Sequence, residues 1–107
     1  MYIYRMPTRL RIQSATAYQH VTARGNNKQD IFLDDKDRLL YLDFLEAAIR
    51  EYAFEVAAYC LMSNHVHILA RFIGLNMGKA MHKLHWKYAN YFNRRHGRIG
   101  HLFQKRY

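Results

Sequence analysis

The chain has 107 residues, with 17 Lys and Arg against 8 Asp and Glu, a formal net charge of +9 and a sequence pI near 9.9. That length bounds it to one small domain spanning residues 1–107, and half of its residues are hydrophobic, enough for one core. No apolar run can span a bilayer, Met1-Tyr2-Ile3-Tyr4-Arg5 is too short and mixed for a signal peptide, and the lone Cys60 excludes an internal disulfide, which fits a reducing cytoplasm.

Residues 1–16 form a basic segment in which Pro7 argues against a regular strand. Tyr18 to Arg24 reads as a strand, with Tyr18, His20, Thr22 and Arg24 on one face and Val21 and Ala23 on the other. Gly25-Asn26-Asn27 is a turn signal, and the apolar Ile31-Phe32-Leu33 follows. Asp34 or Asp35 can cap a helix from Lys36 to Tyr52, with Asp37 in its first turn. Leu39, Leu42, Leu45, Ile49 and Tyr52 recur near the helical period and mark its buried face.

Phe54 to Met62 reads as a strand in which Cys60 is a small core residue. Ser63-Asn64 makes a tight connection to a return strand from His65 to Phe72. Val66, Ile68, Ala70 and Phe72 form the dry face of that strand; His65, His67, Leu69 and Arg71 form the other. Asn76 caps a second helix from Met77 to Arg95, whose stripe of Met77, Met81, Leu84, Tyr88 and Tyr91 is packing. Gly97 suits the helix stop, and residues 98–107 are a basic, aromatic tail. Strand, helix, strand, strand, helix with a central hairpin predicts an α+β fold: a ferredoxin-like antiparallel sheet with both helices on one face.

His65-Val66-His67 is the motif with chemistry in it. Histidines at i and i+2 of a strand share a face, about 7 Å apart along the chain, and can chelate one divalent ion. Alone, such a pair is more simply two surface histidines; its charge context shifts the balance. All eight acids lie between Asp30 and Glu55, so residues 56–107 carry nine Lys or Arg with no carboxylate. A field of one sign attracts polyanions and releases their counterions. Trp86, Tyr88, Tyr91, Phe92, His96, His101 and Phe103 interleave with it and favour nucleic acid, whose bases stack on rings. Lys87, Arg94, Arg95, Arg98, Lys105 and Arg106 are the expected phosphate contacts. His82, His85, His96 and His101 read as phosphate-facing or solvated rather than as metal ligands.

Five stretches together resemble the single-tyrosine HUH transposases, closest to the REP-associated tyrosine transposase group. They are Met6-Pro7 with Arg9 to Ile12, Gln19 to Gln29, Tyr59 to Leu69, Tyr91 to Gly97, and Gly100 to Tyr107. The resemblance covers nearly the whole chain in order. Ser63 stands where the family has proline, and the match at Met6-Pro7 makes the first five residues an extension.

The resemblance implies a ferredoxin-like fold, a homodimer, and single-stranded DNA with hairpins near the cleavage point. It further implies Mg²⁺ or Mn²⁺ on His65 and His67, DNA contacts from Arg24, Asn26 and Asn27, and a tyrosine that cleaves and rejoins DNA through a phosphotyrosine link. For Asn26 and Asn27 a purely structural role in the turn has equal weight. The family's nucleophile, and a further metal ligand, lie on a helix downstream of the segment matching Gly100 to Gln104. Neither is matched here, so no catalytic tyrosine is assigned. The chain reads as a C-terminally incomplete domain that binds metal and DNA, or as a non-catalytic DNA-binding regulator or dimer partner. An unrelated histidine-triad hydrolase would need a third alternating histidine where Leu69 stands.

Overall fold

One layer of strands and one of helices make up the computed structural model, which describes residues 2–5, 18–72 and 76–104. The elements are β1 (Tyr2–Arg5), β2 (Gln19–Arg24), α1 (Asp35–Tyr52), β3 (Glu55–Leu61), β4 (His65–Arg71) and α2 (Met77–His96). The sheet order is β1-β3-β4-β2, and every neighbouring pair is antiparallel. β2 and β3 therefore run parallel with β4 between them, joined by α1: the split βαβ unit of a ferredoxin-like fold.

The dry face is built as alternation demands. Val21 and Ala23 on β2, Val56 and Leu61 on β3, and Val66, Ile68 and Ala70 on β4 are buried together against Tyr41, Leu45, Leu84, Tyr88 and Phe92 of the helices. A bulge lies between Val56 and Ala58, so β3 resets its alternation and Cys60 pairs with His67 on the opposite face. Cys60 is thus a half-buried residue of the open face, not a core residue.

Three further sequence expectations are corrected. Tyr2–Arg5 forms a strand against Ala58–Leu61, because a proline restricts its own position and its neighbour, not a β-prone Tyr-Ile-Tyr stretch upstream. Pro7 and Arg9 to Ile12 lie outside the described residues. The buried face of α1 runs through Asp37, Tyr41, Leu45 and Ala48, with Leu42, Ile49 and Tyr52 packed at its margin, so Leu45 is in the stripe as expected but Leu39 is 64% exposed. Met77 is likewise exposed at the start of α2, where Ala80 begins the buried face.

The helix ends follow capping chemistry in part. Asp34 accepts from the Asp37 N–H at the start of α1. Asn76 occupies the cap position of α2 without a side-chain hydrogen bond. Gly97 ends α2 at φ +64°, a left-handed position that suits glycine, and Arg98 N–H returns to the Asn93 carbonyl.

Candidate metal and nucleic-acid site

Register places the two histidines. β4 pairs with β2 so that Arg24 faces His65, Thr22 faces His67 and His20 faces Leu69. These side chains form two adjacent rows on the open face of the sheet, away from both helices. The rings of His65 and His67 lie side by side, centroids 4.7 Å apart and nearly perpendicular at 83°, and both are half-buried.

Each ring is held through Nδ1. His65 Nδ1 lies 2.8 Å from Asn64 Oδ1; His67 Nδ1 lies 2.8 Å from His20 Nε2 and 3.2 Å from Thr22 Oγ1. Among the described residues, no hydrogen bond engages Nε2 of either ring. Burial and then the Arg24 cation hold His65 below the ordinary imidazole pKa. Burial, followed by His65, His20 and Arg24, does the same for His67. Lowered pKa values favour the neutral rings that metal ligation needs.

The donor set therefore fits a divalent ion as two ligands of a larger set. No group of three His, Cys, Asp or Glu converges among the described residues. Beside His67, a shallow groove of about 330 Å³ is lined by His20, Ala58, Tyr59, Cys60 and Leu69. At the other end, a cleft of about 70 Å³ next to His65 is lined by Arg24, Gly25, Lys28, Asn64 and Gln104.

The segment after β2 is a clamp. Gly25 N–H donates to Asn64 O, Asn26 N–H to Leu102 O, and Gln104 N–H to Arg24 O. Gln29 Nε2 donates to the carbonyls of His101 and Leu102. A Cβ on Gly25 would sit 2.0 Å from Gln29 O, so only glycine fits. Asn27 turns the chain at φ 53° and ψ 32°, in the left-handed region asparagine tolerates. Asn26 and Asn27 thus have a structural role in tying the tail to the strand that carries Arg24, whatever they add for DNA.

The cations divide into engaged and unengaged. Arg95 forks onto Asp34 through both terminal nitrogens at 2.7 Å and reaches Asp37 at 2.7 Å. Arg95 is thus an exposed cation already engaged by two carboxylates of the fold. His96 departs from the solvated reading, with Nε2 2.9 Å from Asp37 Oδ2. His85 departs further: it is buried, its Nε2 is 2.9 Å from the Tyr41 hydroxyl, and burial pushes its pKa down to about 3. By contrast Arg24, Arg94 and Lys87 form no ion pair among the described residues, although Lys87 lies within electrostatic reach of Glu51. Arg98 is exposed, its guanidinium 5.3 Å over the Phe92 ring. Lys105 and Arg106 lie outside the described residues.

Sequence reasoning missed two features. One is a groove of about 400 Å³ between α2 and the tail, lined by His82, Trp86, Asn90, Asn93 and His101 among others, with Trp86 61% exposed. The other is the hub at Asp37. It is fully buried and accepts from Leu33 N–H, Tyr91 OH and Arg95. Burial would raise its pKa, but these hydrogen bonds and the one to His96 together hold it below the usual value. The helical tyrosines are packing groups, as their spacing predicts: Tyr88 is buried with its hydroxyl on Ile31 O, and Tyr91 is bound to Asp37.

No helix among the described residues is long and apolar enough to cross a membrane. No curated protein matches the sequence. A solved structure of a REP-associated tyrosine transposase bound to a REP hairpin superposes with a TM-score of 0.65 at 16% identity, over 94% of this chain and 59% of that one. The likeness confirms the α+β fold, and the chain spans about three fifths of that transposase's length. The family model described as "Transposase IS200 like" matches residues 13–107, so the chain belongs to the IS200-like transposase family.

Proposed function

We propose that this protein binds single-stranded DNA next to hairpins and holds Mg²⁺ or Mn²⁺ on His65 and His67. This would be the metal half of a site that cleaves and rejoins DNA through a phosphotyrosine link. The observation that carries the reading is the pair of adjacent open-face imidazoles, both tethered through Nδ1 and both, among the described residues, leaving Nε2 unengaged. A bound divalent ion supplies charge stabilisation to a DNA phosphate. The chain's own residues orient the rings, and Arg24, exposed and opposite His65, brings a positive charge to the same edge. Family membership and a structural neighbour solved with a DNA hairpin support the choice of substrate.

Tyr41, Tyr88 and Tyr91 serve the core and its hydrogen bonds, so none of them is the nucleophile in this reading. That placement also favours a second reading, in which the chain acts as a DNA-binding regulator or as the metal-bearing partner of an intact relative. On its own the protein is expected to be a homodimer, about twice 12.9 kDa by light scattering.

The test uses a labelled hairpin oligonucleotide with a single-stranded flank. Anisotropy should report tighter binding than to a duplex of equal length, weakening steeply with salt. Equal affinity for the duplex would contradict the substrate assignment. A covalent adduct from the 107-residue chain alone, mapped to Tyr41, Tyr88 or Tyr91, would overturn the exclusion of these three. Mixing the chain with an intact relative should change that relative's cleavage rate; an unchanged rate at saturation would remove the partner reading.

A further inference from the structure

His65 and His67 are tethered by different means, and the difference assigns a role to a third histidine. A ring that binds metal through Nε2 must carry its proton on Nδ1 when neutral. Asn64 Oδ1 can only accept, so its 2.8 Å contact fixes the His65 proton on Nδ1 and leaves Nε2 a lone pair. Among the described residues His67 has no such obligate acceptor. Its Nδ1 faces His20 Nε2 at 2.8 Å and Thr22 Oγ1 at 3.2 Å, and both partners can donate or accept.

One proton lies between His67 and His20. If His20 Nε2 owned it, neutral His67 would carry its own proton on Nε2 and could not ligate there. If His67 Nδ1 owns it, His20 Nε2 is the acceptor and His67 Nε2 is open. We propose that His20, assisted by Thr22, is a positioning residue that holds His67 in the Nδ1–H form and its ring in the orientation for metal. The rings of His20 and His67 are nearly parallel at 21°, centroids 4.9 Å apart, which limits rotation of His67 about its own axis. Partners of this kind commonly set metal affinity by 10–100-fold. The inference rests on the metal reading of the His65–His67 pair. His20 itself touches no reacting atom.

His20 is exposed on β2, so its replacement leaves the core intact. The experiment has two arms on the full chain. Two-bond ¹H–¹⁵N spectra of the imidazoles report which nitrogen of His67 carries the proton without metal. Mn²⁺ titration followed by electron paramagnetic resonance reports affinity. The wild type should show His67 as the Nδ1–H form. His20→Ala should populate the Nε2–H form and weaken Mn²⁺ binding about 10-fold. His20→Asn, which restores an acceptor oxygen, should recover most of both. A wild-type His67 protonated on Nε2, or a His20→Ala chain unchanged in tautomer and affinity, would overturn the inference. Wild-type protein that takes no Mn²⁺, or a His67→Ala variant that binds it equally well, would instead sink the metal reading, and the tautomer arm would still decide what His20 does.

Discussion

Two clusters in this small protein gather histidine with charge, and they treat it in opposite ways. Around Asp37, at the helix ends, every polar group is consumed: one buried carboxylate accepts from Leu33, Tyr91 and Arg95 and meets His96, while Asp34 takes the rest of the Arg95 fork. Around His65 and His67, on the open face, hydrogen bonds among the described residues use one nitrogen of each ring, and the cation Arg24 lies nearby. The contrast explains how a chain of net charge +9 uses its few acids. Asp34, Asp35, Asp37, Glu46, Glu51 and Glu55 each pair with a cation of the fold, and none reaches the histidine pair. Among the described residues these carboxylates pair with cations of the fold, while the two open-face imidazoles and the cations Arg24, Lys87 and Arg94 are left out of that pairing.

The comparison can be broken most forcefully at Asp37. Asp37→Ala strands the Tyr91 hydroxyl, the Leu33 N–H and part of Arg95 without their acceptor. Urea unfolding should show a loss of roughly 3 kcal/mol or more, with Mn²⁺ binding by the folded fraction unchanged. The mirror experiment is His67→Ala. Its stability should stay within about 0.5 kcal/mol of wild type, as for an open-face residue, while Mn²⁺ affinity by calorimetry falls about 100-fold, roughly 2.7 kcal/mol. A His67 variant that unfolds would erase the distinction between the clusters.

Gly25→Ala joins the two regions, since the turn it builds ties β2 to the tail. Its Cβ must displace the Gln29 carbonyl, at an expected cost of about 2 kcal/mol in thermal melting. Acidification separates the regions by pH. Buried His85 has its folded pKa pushed down to about 3, below its unfolded value, so the unfolded chain takes up the proton first. Stability should be complete above pH 6.5 and fall by up to about 1.4 kcal/mol per unit as pH drops toward 3. His85→Gln should flatten that slope. Below about pH 4 the loss should steepen, because Asp37 also has a lowered folded pKa and its contribution disappears as it protonates. The smallest effect is expected from Arg24→Ala: weaker hairpin binding and a salt slope shallower by about one, with no change in melting temperature.

Much of this was legible in the chain. Alternation in His65 to Phe72 placed both histidines opposite Val66, Ile68 and Ala70, and the structure agrees. Spacing marked Tyr88 as packing, and Gly97 as a helix stop. What escaped depends on partners distant in sequence. Nothing local to Arg95 announces that Asp34 and Asp37 will meet it, and nothing local to His85 announces the Tyr41 hydroxyl. Cys60 changed face because a bulge adds one residue to β3, a shift that periodicity alone does not reveal. The His20 contact follows from β2–β4 register, which a hydrophobic pattern leaves open for residues on the solvent side.

The most direct test of the metal assignment is electron spin-echo modulation of Mn²⁺ bound to the full chain. Imidazole ligation predicts ¹⁴N modulation in the wild type, reduced in His65→Ala or His67→Ala and abolished when both are replaced. A saturated Mn²⁺ complex without nitrogen coupling, or with the same coupling in the double variant, would contradict the account.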